Sequence, residues 1–342
     1  MTDSPGPRRR RVGLDNYGLF PLDFSPLATL EWAAAHGADG VSFSGLTPEW
    51  EAKTDSAALA DLRASAAGRG MYLEWGGARH IPRDMTTWAA RDLVEGNRRA
   101  ASQAALLGTS IVRSCSGGLM RWDPANPSTD VLLRETADAL VPQKSMLRDF
   151  GVTLAIETHF EFTSFELLRL FDMCESEPGG WLGVCLDTMN VMTMIEDPVS
   201  ATARLLPWVV STHMKDGGVL LSSEGFITFP APIGDGVIDL GAIIRRLDSL
   251  PAPVCLSVED HGGSFSVPIH DAGFLSRFPD VTDAELQALL DLARASDVTA
   301  ACHPTDRSDW PGLCESRMAY NLAALRAVSD AVDRPAEVRS SG

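Results

Sequence analysis

Short apolar, β-branched runs alternate along this chain with longer stretches in which apolar residues recur at helical spacing. Such alternation is typical of successive strand–helix units around a parallel sheet. Eight segments have the strand pattern: residues 11–18, 40–45, 71–77, 110–117, 152–159, 182–190, 209–216 and 254–260. Eight strands that alternate with helices predict an α/β fold made of a single (β/α)8 barrel, the TIM-barrel architecture.

The first helical stretch, SPLATLEWAAAHG, has clear boundaries, with Ser25 in the N-cap position and Gly37 as the stop signal. A doubly wound sheet that binds a dinucleotide is the alternative architecture for such a pattern. That fold requires a glycine-rich phosphate turn of the form GxGxxG after its first strand. The segment GLDNYGLF, which stands there, does not supply it. The sequence therefore favours the barrel.

The chain has 342 residues, whereas a barrel of this kind uses about 250. The additional residues follow the seventh and eighth predicted strands, which predicts long loops there, and a last amphipathic stretch predicts a C-terminal helical extension on the barrel wall. Residues 1–10 carry a basic cluster without an apolar region after it, so we expect a disordered leader and no secretory signal. Residues 11–342 then form the barrel with its extension.

Composition narrows the classes of partner. Lys and Arg total 29 against 46 Asp and Glu, which gives a formal net charge of −17. A field of that sign repels phosphate backbones and anionic lipid surfaces, so we expect neither nucleic acid nor membrane as a partner. The six cysteines show no metal-type spacing, and no apolar run approaches the ~18 residues of a membrane span. Reduced thiols and a cytoplasmic location are the expectation.

Four consecutive late strands end in residues that can bind a metal ion: Glu157, Asp187, His213 and Glu259. They are separated by 30, 26 and 46 residues, each close to one strand–helix unit or to a unit with an insertion. Barrel enzymes assemble their sites at this carboxyl end of the strands. Three carboxylates and one imidazole suit Mn²⁺, Mg²⁺ or Co²⁺. The alternative, that strand-end acids cap neighbouring helices, explains one such residue but not four in register.

Because side chains alternate along a strand, residues two positions from the ligands face the same barrel mouth. His159, Lys215 and His261 have that parity. His159 is the candidate general base or acid, since imidazole titrates near neutral pH; the alternative is a packed histidine that orients a metal carboxylate. Lys215 is a candidate to polarise an oxyanion or hold a hydroxyl. A structural salt bridge with Asp216 or a neighbouring strand is the alternative.

Further substrate contacts are expected from the other strand ends. Arg113 ends the fourth strand and can reach substrate oxygens, although a buried ion pair explains it equally well. Asn190 is a candidate hydroxyl contact or a loop residue in left-handed geometry. Trp75 ends the third strand and can stack on a sugar or aglycone face, with core packing as the alternative. His80 can reach the site from the third strand.

The elements that carry a family resemblance are Glu157 with His159, the LDTMN segment with Asp187 and Asn190, the HMKD segment with His213, Lys215 and Asp216, the segment PIGDGVIDL (232–240), and Glu259. With these elements the chain resembles the xylose-isomerase-like superfamily of sugar isomerases, epimerases and related barrels. The resemblance extends from the first predicted strand to the eighth. It implies one divalent ion per chain, commonly Mn²⁺, bound by the two glutamates, the aspartate and the histidine of these strand ends.

Two departures restrict the comparison. The abasic-site endonucleases of this fold bind three metals through further histidines, one of them three residues after the sixth-strand aspartate, where this chain has Asn190. The acidic chain also lacks the basic face that DNA binding needs. Ketose 3-epimerases often carry histidine at the same position and are shorter, so a free-ketose epimerase is not the closest match.

Several segments resemble a narrower group, the large α subunits of bacterial C-glycoside deglycosylases, which act on 3-oxo-glycosides. These segments are GLDNYGLFPLD, IETHFEFTSFELLRLFD, CLDTMNVMTMIEDP and VPIHDAGFLSRFPD. The likeness implies a small β-rich partner subunit near the barrel mouth and an oligomeric assembly. Inosose dehydratases, which also use metal-assisted elimination, are a neighbouring group.

The chemistry common to these enzymes is removal of the proton next to a carbonyl that a divalent ion polarises. Our leading hypothesis is β-elimination that cleaves a 3-oxo-C-glycoside. The alternatives are an isomerase or epimerase acting on a free or phosphorylated ketose, and an inosose dehydratase. A non-catalytic sugar-binding subunit is a third class, and it leaves four intact ligands unexplained.

Overall fold

The computed structural model describes residues 9–298 and 303–333. Eight parallel strands form a closed barrel in the order β1-β10-β7-β6-β5-β4-β3-β2. They are β1 (Val12–Asp15), β2 (Gly40–Phe43), β3 (Tyr72–Ala78), β4 (Ile111–Ser114), β5 (Thr153–Glu157), β6 (Leu182–Asp187), β7 (Val209–Met214) and β10 (Leu256–Val258). Seven lie within their predicted segments and β3 extends one residue beyond its segment, to Ala78, so the barrel prediction is confirmed.

Helices and short connecting turns surround the barrel. The helices are α1 (Pro26–Ala35), α2 (Pro48–Lys53), α3 (Ser56–Gly68), α4 (Val94–Leu107), α5 (Thr129–Leu140), α6 (Lys144–Asp149), α7 (Ser164–Met173), α8 (Asn190–Thr193), α9 (Pro198–Leu205), α10 (Leu240–Leu247), α11 (Ala272–Leu275), α12 (Asp283–Val298) and α13 (Trp310–Val332). The predicted boundaries of α1 are present, because the Ser25 hydroxyl accepts the N–H of Ala28 and Gly37 has a φ of 76°.

The barrel interior contains polar pairs that cross from one side to the other. The Tyr72 hydroxyl on β3 lies 2.8 Å from the Ser257 hydroxyl on β10. One layer further along β3, the Ser211 hydroxyl of β7 donates to Glu74 at 2.5 Å. Side-chain alternation along β7 then places His213 above Ser211, at the carboxyl mouth. The mouth thus rests on a filled interior.

The two long segments after β7 and β10, predicted as loops, contain three further strands: β8 (Asp216–Leu221), β9 (Phe226–Ala231) and β11 (Phe265–Val267). They form an antiparallel sheet in the order β11-β9-β8. Phe265 of this sheet packs on Phe160, which follows β5, with ring centroids 4.5 Å apart. The sheet therefore lies over the carboxyl mouth.

Asp216 closes the base of this sheet. Its carboxylate accepts backbone N–H groups from Gly217, Gly234, Gly236 and Ile238, at 2.8 to 3.2 Å. Gly236 is required there, because a Cβ would lie 2.0 Å from the Asp216 Oδ1. One buried carboxylate thus holds the start of β8 and the return segment after β9 together.

The C-terminal helix α13 packs on the barrel wall, as predicted. Its Trp310 indole donates to the Gly18 carbonyl at 3.1 Å, and Arg317 lies 3.0 Å from Asp260, just after β10. Arg10, at the end of the predicted leader, pairs with Asp248 and Asp333. Residues 1–8 lie outside the described residues, and the division of the chain at residue 10 stays a prediction.

Two other expectations concern thiols and membranes. Cys115, Cys174, Cys185, Cys255 and Cys314 are free thiols, and Cys302 lies outside the described residues. Within residues 9–298 and 303–333, every helix is too short or too polar to cross a bilayer. The cellular compartment stays a prediction.

Glu74 generates a prediction about stability and pH. Burial raises the pKa of Glu74 to about 7, so the folded chain keeps a proton that the unfolded chain has already released. The free energy of unfolding should therefore fall as the pH rises from about 4.5 to about 7, by up to about 3 kcal/mol from this group. Urea titrations at pH 5 and pH 8 should show that Glu74→Gln removes this loss. The exposed-site variant Glu95→Gln should behave as the wild type, and equal losses in all three proteins would contradict the assignment.

Candidate metal centre

Four side chains meet at the carboxyl mouth of the barrel: Glu157, Asp187, His213 and Glu259. Each offers one ligand atom, and these atoms all lie within 4.8 Å of one another. Three of them stand at or next to the carboxyl ends of β5, β6 and β7, and the fourth directly follows β10. The barrel's parallel register brings them together, because Asp187 pairs with His213 and Glu157 is level with Cys185 on the neighbouring strand.

The His213 ring is positioned from both sides. Its Nδ1 lies 3.4 Å from Glu157 Oε1 and 3.4 Å from Glu259 Oε2, so this nitrogen faces the cluster. Its Nε2 lies 3.3 Å from the Oδ2 of Asp15, at the end of β1. The other Asp15 oxygen accepts the Tyr17 N–H at 2.9 Å and the Ser44 hydroxyl at 2.6 Å. A carboxylate behind a ligand histidine fixes its tautomer and orientation.

The cluster fits a divalent cation. Among the described residues, the Oδ2 of Asp187, the Oε2 of Glu259 and both ring nitrogens of His213 have charged neighbours within 3.4 Å, but none of these contacts has hydrogen-bond geometry. Buried polar atoms are rarely left in that condition, and a coordinated ion satisfies several at once. A set of three carboxylates and one imidazole suits a hard or borderline ion such as Mn²⁺, Mg²⁺ or Co²⁺.

Two buried cations share the cluster with these acids. Lys215 lies 2.8 Å from Asp187 Oδ2 and also pairs with Glu259, whereas Arg113 pairs with Glu157. Burial raises the pKa of Glu157, but Arg113 and His213 outweigh it and hold the pKa well below its usual range. For Asp187, burial prevails over Lys215 and raises the pKa. The pKa values of these two acids are thus shifted in opposite directions. Lys215 forms its ion pairs with Asp187 and Glu259, on neighbouring strands, and not with Asp216.

His159 belongs to a second group beside the ligands. Its Nδ1 lies 3.0 Å from Glu161 Oε2, and the other oxygen of Glu161 lies 2.9 Å from His80 Nε2. Glu161 and His80 are fully buried, whereas the His159 side chain retains 21% exposure. Burial alone lowers the pKa of His159, but Cys115 and Glu161 outweigh it and hold the pKa well above its usual range.

The remaining predicted contacts occupy less exposed positions. Arg113, in addition to its ion pair, donates to the Ser44 carbonyl at 3.0 Å, which is the buried arrangement expected as the alternative to a substrate contact. Asn190 opens α8, where its N–H donates to Asp187 Oδ1 at 2.8 Å and its Nδ2 lies 3.5 Å from Glu157 Oε1. Asn190 therefore braces two ligands, with ordinary helical backbone.

His261 and Trp75 lie at the edge of the site. His261 Nδ1 lies 2.8 Å from the Gly262 carbonyl, and its ring stands edge-on to Tyr17. Trp75 is 5% exposed, packs on Phe43 and donates its indole N–H to Gln103 at 3.1 Å. Direct contact of either residue with a substrate stays a prediction.

Sequence reasoning did not identify Asp15 or Glu161. Asp15 ends the first predicted strand, so the rule that selected the late strand ends applies to it as well. Glu161 lies four residues beyond Glu157 in a loop, where strand periodicity carries no information. His80, which was expected to reach the site, contacts Glu161, and a role of His80 in the site stays a prediction.

The chain was compared with known proteins. The family model described as xylose isomerase-like TIM barrel matches residues 30–276. Among curated proteins, 3-oxo-isoapionate decarboxylase from Pectobacterium atrosepticum is 24% identical over 252 residues, which span 69% of this chain and 80% of the relative.

Solved structures agree in fold. An L-ribulose 3-epimerase structure, 21% identical, matches with a TM-score of 0.56 over 96% of this chain and 100% of that one. The 3-keto-D-glucoside 4-epimerase YcjR from E. coli, 14% identical, matches with a TM-score of 0.54 over 80% of this chain and 100% of the other. The chain is a TIM-barrel protein with a buried cluster of three carboxylates and one histidine that is consistent with a divalent-metal site. The chain belongs to the xylose isomerase-like TIM-barrel family.

The contact between Asp15 and His213 generates a prediction about metal affinity. Asp15→Asn should weaken Mn²⁺ binding by roughly 10- to 100-fold, because the amide no longer holds the ring in the tautomer that presents Nδ1 to the metal. Isothermal titration calorimetry of the metal-free protein measures this directly. Asp23→Asn, a substitution away from the cluster, serves as the control. Unchanged affinity in Asp15→Asn would remove this residue from the site.

Proposed function

We propose that this chain is a divalent-metal-dependent enzyme that removes the proton next to the carbonyl of a 3-oxo sugar derivative. The favoured outcome is β-elimination that cleaves the C-glycosidic bond of a 3-oxo-C-glycoside. The observation that carries the proposal is the buried cluster of three carboxylates and one histidine, with His159 and Glu161 directly beside it. A proton-transfer group next to a metal-type cluster is the minimum that such chemistry requires.

Glu157, Asp187, His213 and Glu259 would hold the ion. A bound divalent ion supplies a Lewis acid that polarises the substrate carbonyl and makes the neighbouring C–H more acidic. The protein supplies orientation, because a substrate at the cluster has His159 on one side and Lys215 on another. His159 lies two residues beyond the end of β5, and Lys215 lies one residue beyond the end of β7.

His159 is assigned the proton transfer. Because Glu161 takes its Nδ1, the Nε2 nitrogen is left to exchange a proton with the substrate. The Glu161 carboxylate helps to hold the pKa of His159 well above its usual range, so the neutral ring is the minor form but the stronger base, and its protonated form can return a proton. Its partial exposure distinguishes His159 from the fully buried His80.

Lys215 is assigned the stabilisation of negative charge on the substrate oxygen. The ammonium group is buried, with 2% of the side chain exposed, and stands between Asp187 and Glu259. Burial lowers the pKa of Lys215, but these two carboxylates outweigh it and hold the pKa well above its usual range. A permanent charge in a site of low polarity stabilises a developing oxyanion more strongly than it would in water.

The substrate class rests on two comparisons. The decarboxylase from Pectobacterium atrosepticum is named for a 3-oxo sugar acid, and the YcjR structure for a 3-keto glucoside. A carbonyl at the third carbon is common to both names. The segments that resemble C-glycoside deglycosylase α subunits favour elimination, and with it an oligomer that includes a small β-rich subunit near the mouth.

In the favoured reaction the C2–H bond of a 3-oxo-C-glycoside breaks and a C1–C2 double bond forms. The bond from C1 to the aglycone breaks, and its electron pair leaves with the aglycone, which takes up a proton. In an epimerase or isomerase the proton returns to a carbon of the sugar instead. An inosose dehydratase expels hydroxide from the β position. All of these start with the same proton removal.

The test is incubation of the Mn²⁺-loaded protein, with and without its candidate small subunit, with a phenolic 3-oxo-C-glucoside in D₂O. Mass spectrometry of the quenched mixture should show free aglycone. Deuterium next to the carbonyl without aglycone would support the enolising site and replace the lyase by an epimerase or isomerase. If a protein shown to contain metal formed neither free aglycone nor deuterated sugar, the proposal would be overturned.

A second prediction concerns His159. His159→Gln should lower the rate of proton removal by about 10²- to 10⁴-fold, the usual contribution of a positioned acid–base group, and should leave Mn²⁺ affinity unchanged. His270→Gln, at an exposed histidine in the segment after β11, is the matched control. If His159→Gln lost metal binding and activity together, the residue would be assigned a structural role beside the metal ligands and not the proton transfer.

A further inference from the structure

A cleft of about 560 Å³ opens beside the metal cluster, between the carboxyl ends of β2, β3 and β4 and the helix α4. Its lining includes Trp75, Gly77, Arg79, Gly96, Gln103 and Cys115. This volume is in the range of small-molecule sites, about 300–1,000 Å³. None of the reaction steps assigned above uses it.

The inner end of the cleft reaches the catalytic groups. Cys115, in its lining, follows β4 and is near enough to His159 to help raise the pKa of that ring. Ser44, also in the lining, accepts from Arg113 through its carbonyl and donates to Asp15 through its hydroxyl. A substrate whose reacting carbon lies at the metal cluster can therefore extend its remote part into this space.

The polar groups of the cleft are held in place from beneath. Asn97, which is buried, accepts the Arg79 N–H and donates to the Arg79 carbonyl, both at 2.8 Å, and it donates to Gln143 at 2.9 Å. The Arg79 guanidinium itself has no hydrogen bond or ion pair to any residue that the structure describes. The Trp75 indole N–H donates to the Gln103 side-chain carbonyl oxygen, so the NH₂ group of Gln103 can donate to a molecule in the cleft.

Glycine keeps the cleft open. Gly96 lies in the first turn of α4, and a Cβ built on it meets nothing within 4 Å. Glycine in a helix costs about 1 kcal/mol relative to alanine, and no positive φ or close contact at Gly96 explains its presence. Gly77, on the facing strand, is also open, with a φ of 85°. Both positions lack a side chain where one would project into the cleft.

We propose that this cleft binds the remote ring of an extended substrate, a hydroxyl-bearing aglycone or second ring joined to the sugar that reacts at the metal cluster. In this mostly polar lining, Trp75 and Leu46 offer apolar surface to a ring face, while the Arg79 guanidinium and the Gln103 amide donate to its hydroxyl groups. The inference rests on the proposed function and specifies its substrate class, because a free ketose leaves the cleft empty.

The test uses an unreactive probe, a phenolic aryl C-glucoside whose 3-hydroxyl is intact, titrated calorimetrically into the Mg²⁺-loaded protein. Gly96→Met fills the cleft and should weaken binding at least 10-fold. Gly96→Ala leaves most of the space and should change affinity less than 2-fold. Gly68→Met, at an open glycine on α3 outside the cleft, controls for helix effects. Thermal unfolding and Mg²⁺ affinity of each variant show that fold and metal site persist.

A second pair of variants keeps the result interpretable if Gly96→Met does not fold. Arg79→Ala should weaken probe binding about 10-fold, whereas Arg98→Ala, at an exposed arginine outside the cleft, should not. Wild-type protein that fails to bind the probe, or variants that bind as well as wild type, would overturn the cleft proposal. Because the probe cannot react, loss of its binding is distinguishable from failure of the proposed chemistry. Normal binding without turnover of the 3-oxo-C-glucoside would instead count against that chemistry.

Discussion

The burial of three carboxylates at one end of the barrel is the constraint on which the site depends. Taking ionised acids out of water is expensive unless cations and hydrogen bonds compensate them. Here Lys215, Arg113 and His213 lie among Glu157, Asp187 and Glu259, all of them nearly inaccessible to solvent. Removal of any one cation leaves an uncompensated acid. The same side chains therefore maintain the fold and prepare the site for a divalent ion.

The sequence was sufficient for the parts of the site that follow from strand periodicity. The ends of parallel strands meet at one edge, so Glu157, Asp187, His213 and Glu259 could be grouped without coordinates. Contacts made by loops could not, because the path of a loop is set by tertiary packing. Glu161 reaches both His80 and His159 from such a loop. The small sheet over the mouth was missed although its segment VLLSSEGFITF has apolar alternation around a turn.

The outer parts of the site show how binding and catalysis are divided. Residues at the cluster are buried and paired, so they are poorly placed to distinguish one substrate from another. The cleft has the opposite character: no residue in the described part of the chain pairs with the Arg79 guanidinium or the Gln103 amide NH₂, and glycines and Trp75 line the space. Substitutions in α4 can thus change which substrate is accepted without disturbing the metal ligands. Members of this family share one barrel fold but are named for different reactions. If binding and catalysis are separated in this way, substrate preference can change with little loss of folding stability.

The hydrogen bonds of Asp216 have a consequence for how molecules reach the site. Four backbone N–H groups donate to this one carboxylate, so the base of the hairpin is held closed where the chain leaves the end of β7. The small sheet covers the mouth from above, and the cleft beside α4 offers a lateral route to the cluster. The cleft would then be both the binding site of the remote ring and the access route to the cluster. A bulky remote ring would have to leave before the sugar behind it could dissociate.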